Sequence, residues 1–228
     1  MSAVLSMKLP PHVYLRDPEE TELGRRMVRE SIHLLDQMGF ASFTFRKLAA
    51  AIDSTEASVY RYFVNKHQLL DYLRSWYWTW LDYRVEYHIH NLRDPAEKLR
   101  VLIRVVAKRC TGEGFTAYLD VDALSRILIR EAPETNTFRA EAQEQPYSLC
   151  LHYQHLCERT ANLLREINHN YPYPYALACT LLAVVHSPAL VIRYTAAHLQ
   201  EPAQAADPLV FFIEQVVVAA IYGKTSNT

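Results

Sequence analysis

Three Asp-Pro pairs, Asp17-Pro18, Asp94-Pro95 and Asp207-Pro208, each stand at the head of a run with apolar residues at helical spacing. Aspartate accepts hydrogen bonds from the first free amides of a helix. Proline fits the first turn, where its missing N–H costs nothing. No segment sustains the period-two alternation of a strand, and five glycines in 228 residues are few for a turn-rich sheet protein. The expected fold class is therefore all-α.

Half the residues are apolar and 21% are charged, a balance that belongs to globular chains, and the length suffices to bury a real core. The net charge of −1 gives the whole molecule no attraction to nucleic acid, so any such partner has to meet a local patch. The first 20 residues lack the basic and long apolar stretches of a signal peptide. The most apolar window, Ala176 to Ile192, is broken by His186 and Pro188 and is short for a bilayer. Four scattered cysteines without a CxxC pair read as reduced thiols. A cytoplasmic protein with no membrane partner is the expectation.

The acids after Asp17-Pro18 predict a helix start there. Leu23, Met27, Leu34, Leu35 and Met38 form its apolar stripe, and Gly39 its end. Asn65 followed by Gln68 reads as a capping box opening a helix to roughly His90. Further helices are expected at about 95–110, 118–131, 137–167, 173–199 and 208–222. This divides the chain into a small unit, 17–66, and a larger body, 67–228. The helix opening at Asn65 belongs to both and is expected to act as a rigid lever.

Between Phe43 and Leu70 two short helices flank a turn. Thr44 is placed to cap Phe45 to Ile52, Asp53-Ser54 to turn the chain, and Thr55 to cap Glu56 to Phe63. Val59 and Phe63 face inward one turn apart, and Ala49 leaves room for a close crossing. This is the helix-turn-helix unit, whose second helix enters the DNA major groove. Its outward set is expected to be Ser58, Arg61 and Tyr62, with Arg46, Lys47 and Lys66 flanking. Such hydroxyl and cationic groups donate to phosphates and base edges. Residues 44–67 carry net +2, leaving −3 for the rest.

The run GFASFTFRKLAAAIDSTEASVYRYFVNKHQLL resembles the helix-turn-helix of TetR-type transcriptional regulators, from its Thr-x-Arg-x-x-Ala opening to its Tyr-x-x-Phe-x-x-Lys ending. The likeness spans Glu19 to about Leu73. It implies a three-helix DNA-binding head, a helical ligand-binding body, and a homodimer formed by the last two long helices. By position it implies DNA contacts at Thr44, Arg46, Ser58, Tyr60, Arg61, Tyr62 and Lys66, with Tyr60 and Lys66 on phosphates and Arg46 among those on base edges. Two departures stand out. Asp53-Ser54 replaces the usual Gly-Val of the turn, which Asp tolerates through the left-handed conformation. Glu56 suits a helix start but repels phosphate, unless it accepts from cytosine.

Beyond the head, Trp76, Trp80, Tyr83 and Tyr87 recur at i+3 and i+4 along one helix. They read as core or as the wall of an apolar cavity, which the resemblance places in this region. Trp76, Trp80 and Tyr83, together with His152 and His186, are the candidate ligand residues. His152 and His155 share a helix face, but no third ligand stands at a metal-site spacing, so no metal or other cofactor is assigned. No Gly-rich phosphate loop, GxSxG elbow or HExxH occurs, and an enzyme is not expected. Tyr173–Leu199 and the segment from Val210 to Ile221 are apolar nearly all round, which calls for a symmetric partner to cover them. Pro188 is expected to kink the first.

The resulting expectation is a homodimeric regulator, a repressor, that releases operator DNA when a small apolar or aromatic effector binds. The rival reading is a small-molecule-binding or interaction protein whose helix-turn-helix is scaffold alone.

Overall fold

The computed structural model describes residues 9–107, 119–131, 151–186 and 208–222. Every regular element among them is helical. They are α1 (Glu22–Ser42), α2 (Phe45–Ala51), α3 (Glu56–Tyr60), α4 (Lys66–Ile89), α5 (Pro95–Ala107), α6 (Val121–Arg130), α7 (Leu151–Ile167), α8 (Pro174–His186) and α9 (Pro208–Tyr222). Two 3-10 turns, Pro11–Val13 and Pro18–Glu20, precede α1. Pro188 and the parts of the expected helices at 137–150 and 187–199 lie outside the described residues, as do Cys110 and Cys150.

The chain forms two compact units, one of residues 1–80 and 109–152, the other of 81–108 and 153–228. In the first, α1, α2, α3 and the start of α4 enclose Met27, Ile32, Leu35, Phe43, Leu48, Ile52, Val59 and Phe63, all buried. The expected start at Asp17 needs correction. Asp17 accepts from Glu19 N at 2.8 Å, but the turn it caps lasts three residues. Thr21, in extended conformation, caps α1 by accepting from Gly24 N at 3.0 Å. Gly24 lets the two elements touch, since a Cβ there would sit 2.3 Å from the Pro18 carbonyl oxygen. At the far end Gly39, with φ of +73°, breaks the helical path where the sequence placed its end.

α6 is part of this unit and packs on α1. Its buried face, with Leu124 and Ile127, supplies apolar cover. Its polar face grips α1's last turns. Arg126 donates to both carboxylate oxygens of Asp36, at 3.3 and 2.5 Å, and Arg130 donates to the Leu35 and Asp36 carbonyls. Glu131 Oε1 accepts from Phe40 N at 3.1 Å.

In the second unit α5 packs against both α8 and α9. Asn168 donates to the Ile221 carbonyl at 2.7 Å, and Arg159 on α7 donates to Asp82 at 3.1 Å and also to Glu86. The single chain covers only one side of α9, the partial cover expected of it. On α9, Val210, Ile213, Val217 and Ile221 face inward, while Phe211, Phe212, Val216, Val218 and Tyr222 are exposed.

Candidate nucleic-acid interface

Each short helix of the head is capped as its sequence dictates. Thr44 Oγ1 accepts from Lys47 N at 3.3 Å and Thr55 Oγ1 from Ser58 N at 3.2 Å. Between them Asp53 takes the left-handed conformation with φ of 50°, and Ser54 N donates to the Ala49 carbonyl at 2.9 Å. The second helix is shorter than expected. It stops at Tyr60, Arg61 is its C-cap, and Tyr62 and Phe63 follow in a turn whose amides still reach the Val59 carbonyl. Asn65 then caps α4 by accepting from Gln68 N at 2.9 Å. The Gln68 side chain reaches back to Val64 N at 2.7 Å, one residue short of a strict capping box.

Thr44, Arg46, Lys47, Tyr60 and Arg61 are exposed, and Ser58 is half-buried with its hydroxyl 3.0 Å from that of Thr55. Tyr60, half exposed at 50%, leans edge-on against Phe45 with ring centroids 5.1 Å apart. Lys47 Nζ donates to the Ser42 carbonyl at 2.7 Å. Two residues sit otherwise than expected. Tyr62 does not face outward: it is 3% exposed, its hydroxyl 2.7 Å from Thr21 Oγ1. Tyr62 stands three residues after buried Val59 and beside buried Phe63, so the helical turn carries it to the inner side. Lys66 is half-buried and donates to the carbonyls of Phe40, Ala41 and Phe43 at 2.9, 3.4 and 3.4 Å, its ammonium 4.5 Å from the Phe40 ring centroid. It caps the end of α1, where unpaired carbonyls favour a cation. Sequence periodicity missed this because it carries no record of tertiary capping.

Along α4, Trp76 and Trp80 are both 3% exposed and stack at 6.4 Å with planes 15° apart. Tyr83 is half-buried and Tyr87 exposed. Ser75 Oγ, on the same helix, is buried with no hydrogen-bond partner among the described residues. His152 and His155 lie one turn apart on α7. His155 brings a ring nitrogen within 4.8 Å of an Asp82 carboxylate oxygen, the group already holding Arg159. Of His186 only the backbone at the end of α8 is described. The second unit contains a polar cavity of about 470 Å³ edged by Glu86, His90, Lys98, His155 and Arg159. A more apolar one of about 230 Å³ lies among Leu99, Ile103, Ile167, Val217 and Ile221, with Glu214 at its rim. Neither is lined by Trp76, Trp80, Tyr83 or His152.

The geometry defines a class: a capped helix-turn-helix presenting cations and hydroxyls, set in an all-helical chain. Residues 28–73 match the family described as bacterial regulatory proteins, tetR family. The match falls on the head, from within α1 through α2 and α3 to the first turns of α4. No curated protein sequence matches the chain. Among solved structures it is similar to AibR in complex with isovaleryl coenzyme A and operator DNA, at 16% identity and TM-score 0.57, covering 87% of this chain and 97% of that one. It is similar to the fatty acid degradation regulator FadR of Bacillus halodurans, at 16% identity and TM-score 0.60, covering 90% and 97%. It is equally similar in shape to the superantigen PfiT, at 18% identity and TM-score 0.60, covering 89% and 97%. Identities this low establish a shared fold alone. Among the described residues no helix is long and apolar enough to cross a membrane.

Proposed function

We propose that this protein is a homodimeric, effector-responsive transcriptional repressor that binds operator DNA through α2 and α3. The observation that carries the reading is the outward set Thr44, Arg46, Lys47, Tyr60 and Arg61 on two capped helices joined by a turn. Arg46 and Arg61 are assigned to base edges and phosphates, and Tyr60, Thr44, Lys47 and Ser58 to the backbone. Tyr62 and Lys66 act through the head's shape. AibR, with operator DNA and isovaleryl coenzyme A in one crystal, supports a regulator whose effector carries an apolar group. The effector site is assigned to the body near the Trp76–Trp80 stack, where the unpartnered Ser75 hydroxyl offers a polar handle.

The test is a salt titration of DNA affinity. Arg46→Ala and Arg61→Ala should each bind more weakly, with the slope of log K against log salt reduced by about one unit where a phosphate contact is lost. Helical content should be unchanged. A second reading, a head kept as scaffold, is favoured by exposed Glu56 at the first position of α3. It predicts that wild type and both variants bind DNA equally poorly.

A further inference from the structure

The residues ahead of α1 are part of the head's packing. Leu9 and Val13 are buried, and Gln68 Nε2 donates to the His12 carbonyl at 3.0 Å. Leu15 N donates to the Tyr62 carbonyl at 2.7 Å, so the arm runs beside the chain just after α3. That bond sets the next residue, Arg16, over the Tyr62 ring, its guanidinium carbon 5.5 Å from the centroid. Tyr62 is held beneath by its hydroxyl contact with Thr21. Where the recognition segment was expected to show a phenol, the surface shows a guanidinium instead. The arm lies wholly before the residues that match the TetR family.

We propose that Arg16 is a further DNA-contacting residue, which binds a backbone phosphate next to the recognition segment in the place expected for Tyr62. The inference rests on the operator-binding reading above. Arg16 is exposed, and its partner among the described residues is the Tyr62 ring. A guanidinium lying over an aromatic ring is oriented by the ring's negative face yet keeps its N–H edge free for the paired oxygens of a phosphate. The following acid, Asp17, accepts from Glu19 N to cap its own 3-10 turn and forms no ion pair with Arg16. Contact to a phosphate positions the head without reading a base, so its loss weakens all sequences alike.

The full-length wild-type protein is used to enrich a duplex from a random-sequence pool, and affinity for that duplex is measured over a range of salt. Arg16→Gln should weaken binding to the enriched and to an unrelated duplex by the same factor, with the slope about one unit shallower. Arg16→Lys keeps the charge and should retain the slope with a smaller loss. Thermal unfolding is followed in parallel. Loss of affinity in Arg16→Gln with the wild-type slope and a lowered Tm would make Arg16 a packing residue and overturn the proposal. Wild-type affinity and slope in Arg16→Gln, beside weakened Arg61→Ala, would also overturn it while leaving the DNA reading intact. A wild-type protein that enriches no duplex overturns both.

Discussion

At the scale of single residues the head is held by contacts of different legibility. Thr44, Thr55 and Asn65 cap where their type and position foretell, because a cap needs only its own next three residues. Asp53 likewise takes the left-handed turn its short polar side chain tolerates. Lys66 was not legible in this way, since its carbonyl partners lie more than twenty residues upstream. Lys66→Met is expected to lower the head's stability by about 1–2 kcal/mol, measured by denaturant unfolding, because the last carbonyls of α1 lose a charged donor. Asp36 supplies a pH test. The hydrogen bond from Arg126 holds its carboxyl below the usual carboxylate range, against the opposing effect of burial. A depressed folded pKa gives stability that is present above the unfolded value and is lost as pH falls through the folded one. Asp36→Asn should therefore cost at most about 1 kcal/mol near neutrality, since Arg126 is largely exposed. The difference from wild type should shrink toward zero as the solution is acidified below that depressed pKa. A gap that widens in acid would contradict the assignment.

At the scale of elements, spacing located most of the helix bounds that fall within the described residues to within a few positions, and the helices expected after Asp94 and Asp207 begin at Pro95 and Pro208. Two local signals competed at the first helix. Asp17 caps a single 3-10 turn, and Thr21 takes over the start of α1. α3 also ended early, which no apolar period marks, because Val59 and Phe63 remain buried whether or not the helix reaches them. On α9 composition alone left the inner face undefined. The fold separates it: Val217 is 4% exposed, whereas Phe212 and Val216 are each 39% exposed. We infer that the outer residues meet a second copy of the chain. Phe212→Glu is expected to convert the dimer to a folded monomer in sedimentation velocity. Val217→Glu, which buries an unpaired charge within one chain, is expected to unfold it instead. A wild-type protein that sediments as a monomer at micromolar concentration would remove the dimer from the proposal.

At the scale of the whole molecule, α4 runs through the division of the chain, its first part with the head and its last with the second unit. Its three tryptophans, Trp76, Trp78 and Trp80, make it observable in the intact protein. An effector at the proposed site should shift their emission and weaken operator binding. Operator DNA must in turn weaken the effector by the same factor. A compound that releases DNA with unchanged emission would place the coupling elsewhere. The placement of α6 has a different consequence, for the order in which a ribosome delivers the chain. The compact unit that holds α1 is made of two stretches, 1–80 and 109–152, and the buried side of α6 comes from the second. The three helices of the head leave the ribosome first, and α1 then waits for Leu124 and Ile127, and for Arg126 and Arg130, until the chain has grown past Glu131. At roughly 5–20 residues per second that wait lasts several seconds. Through it the nascent head carries an uncovered apolar strip, and a chain released before Arg130 leaves it so for good.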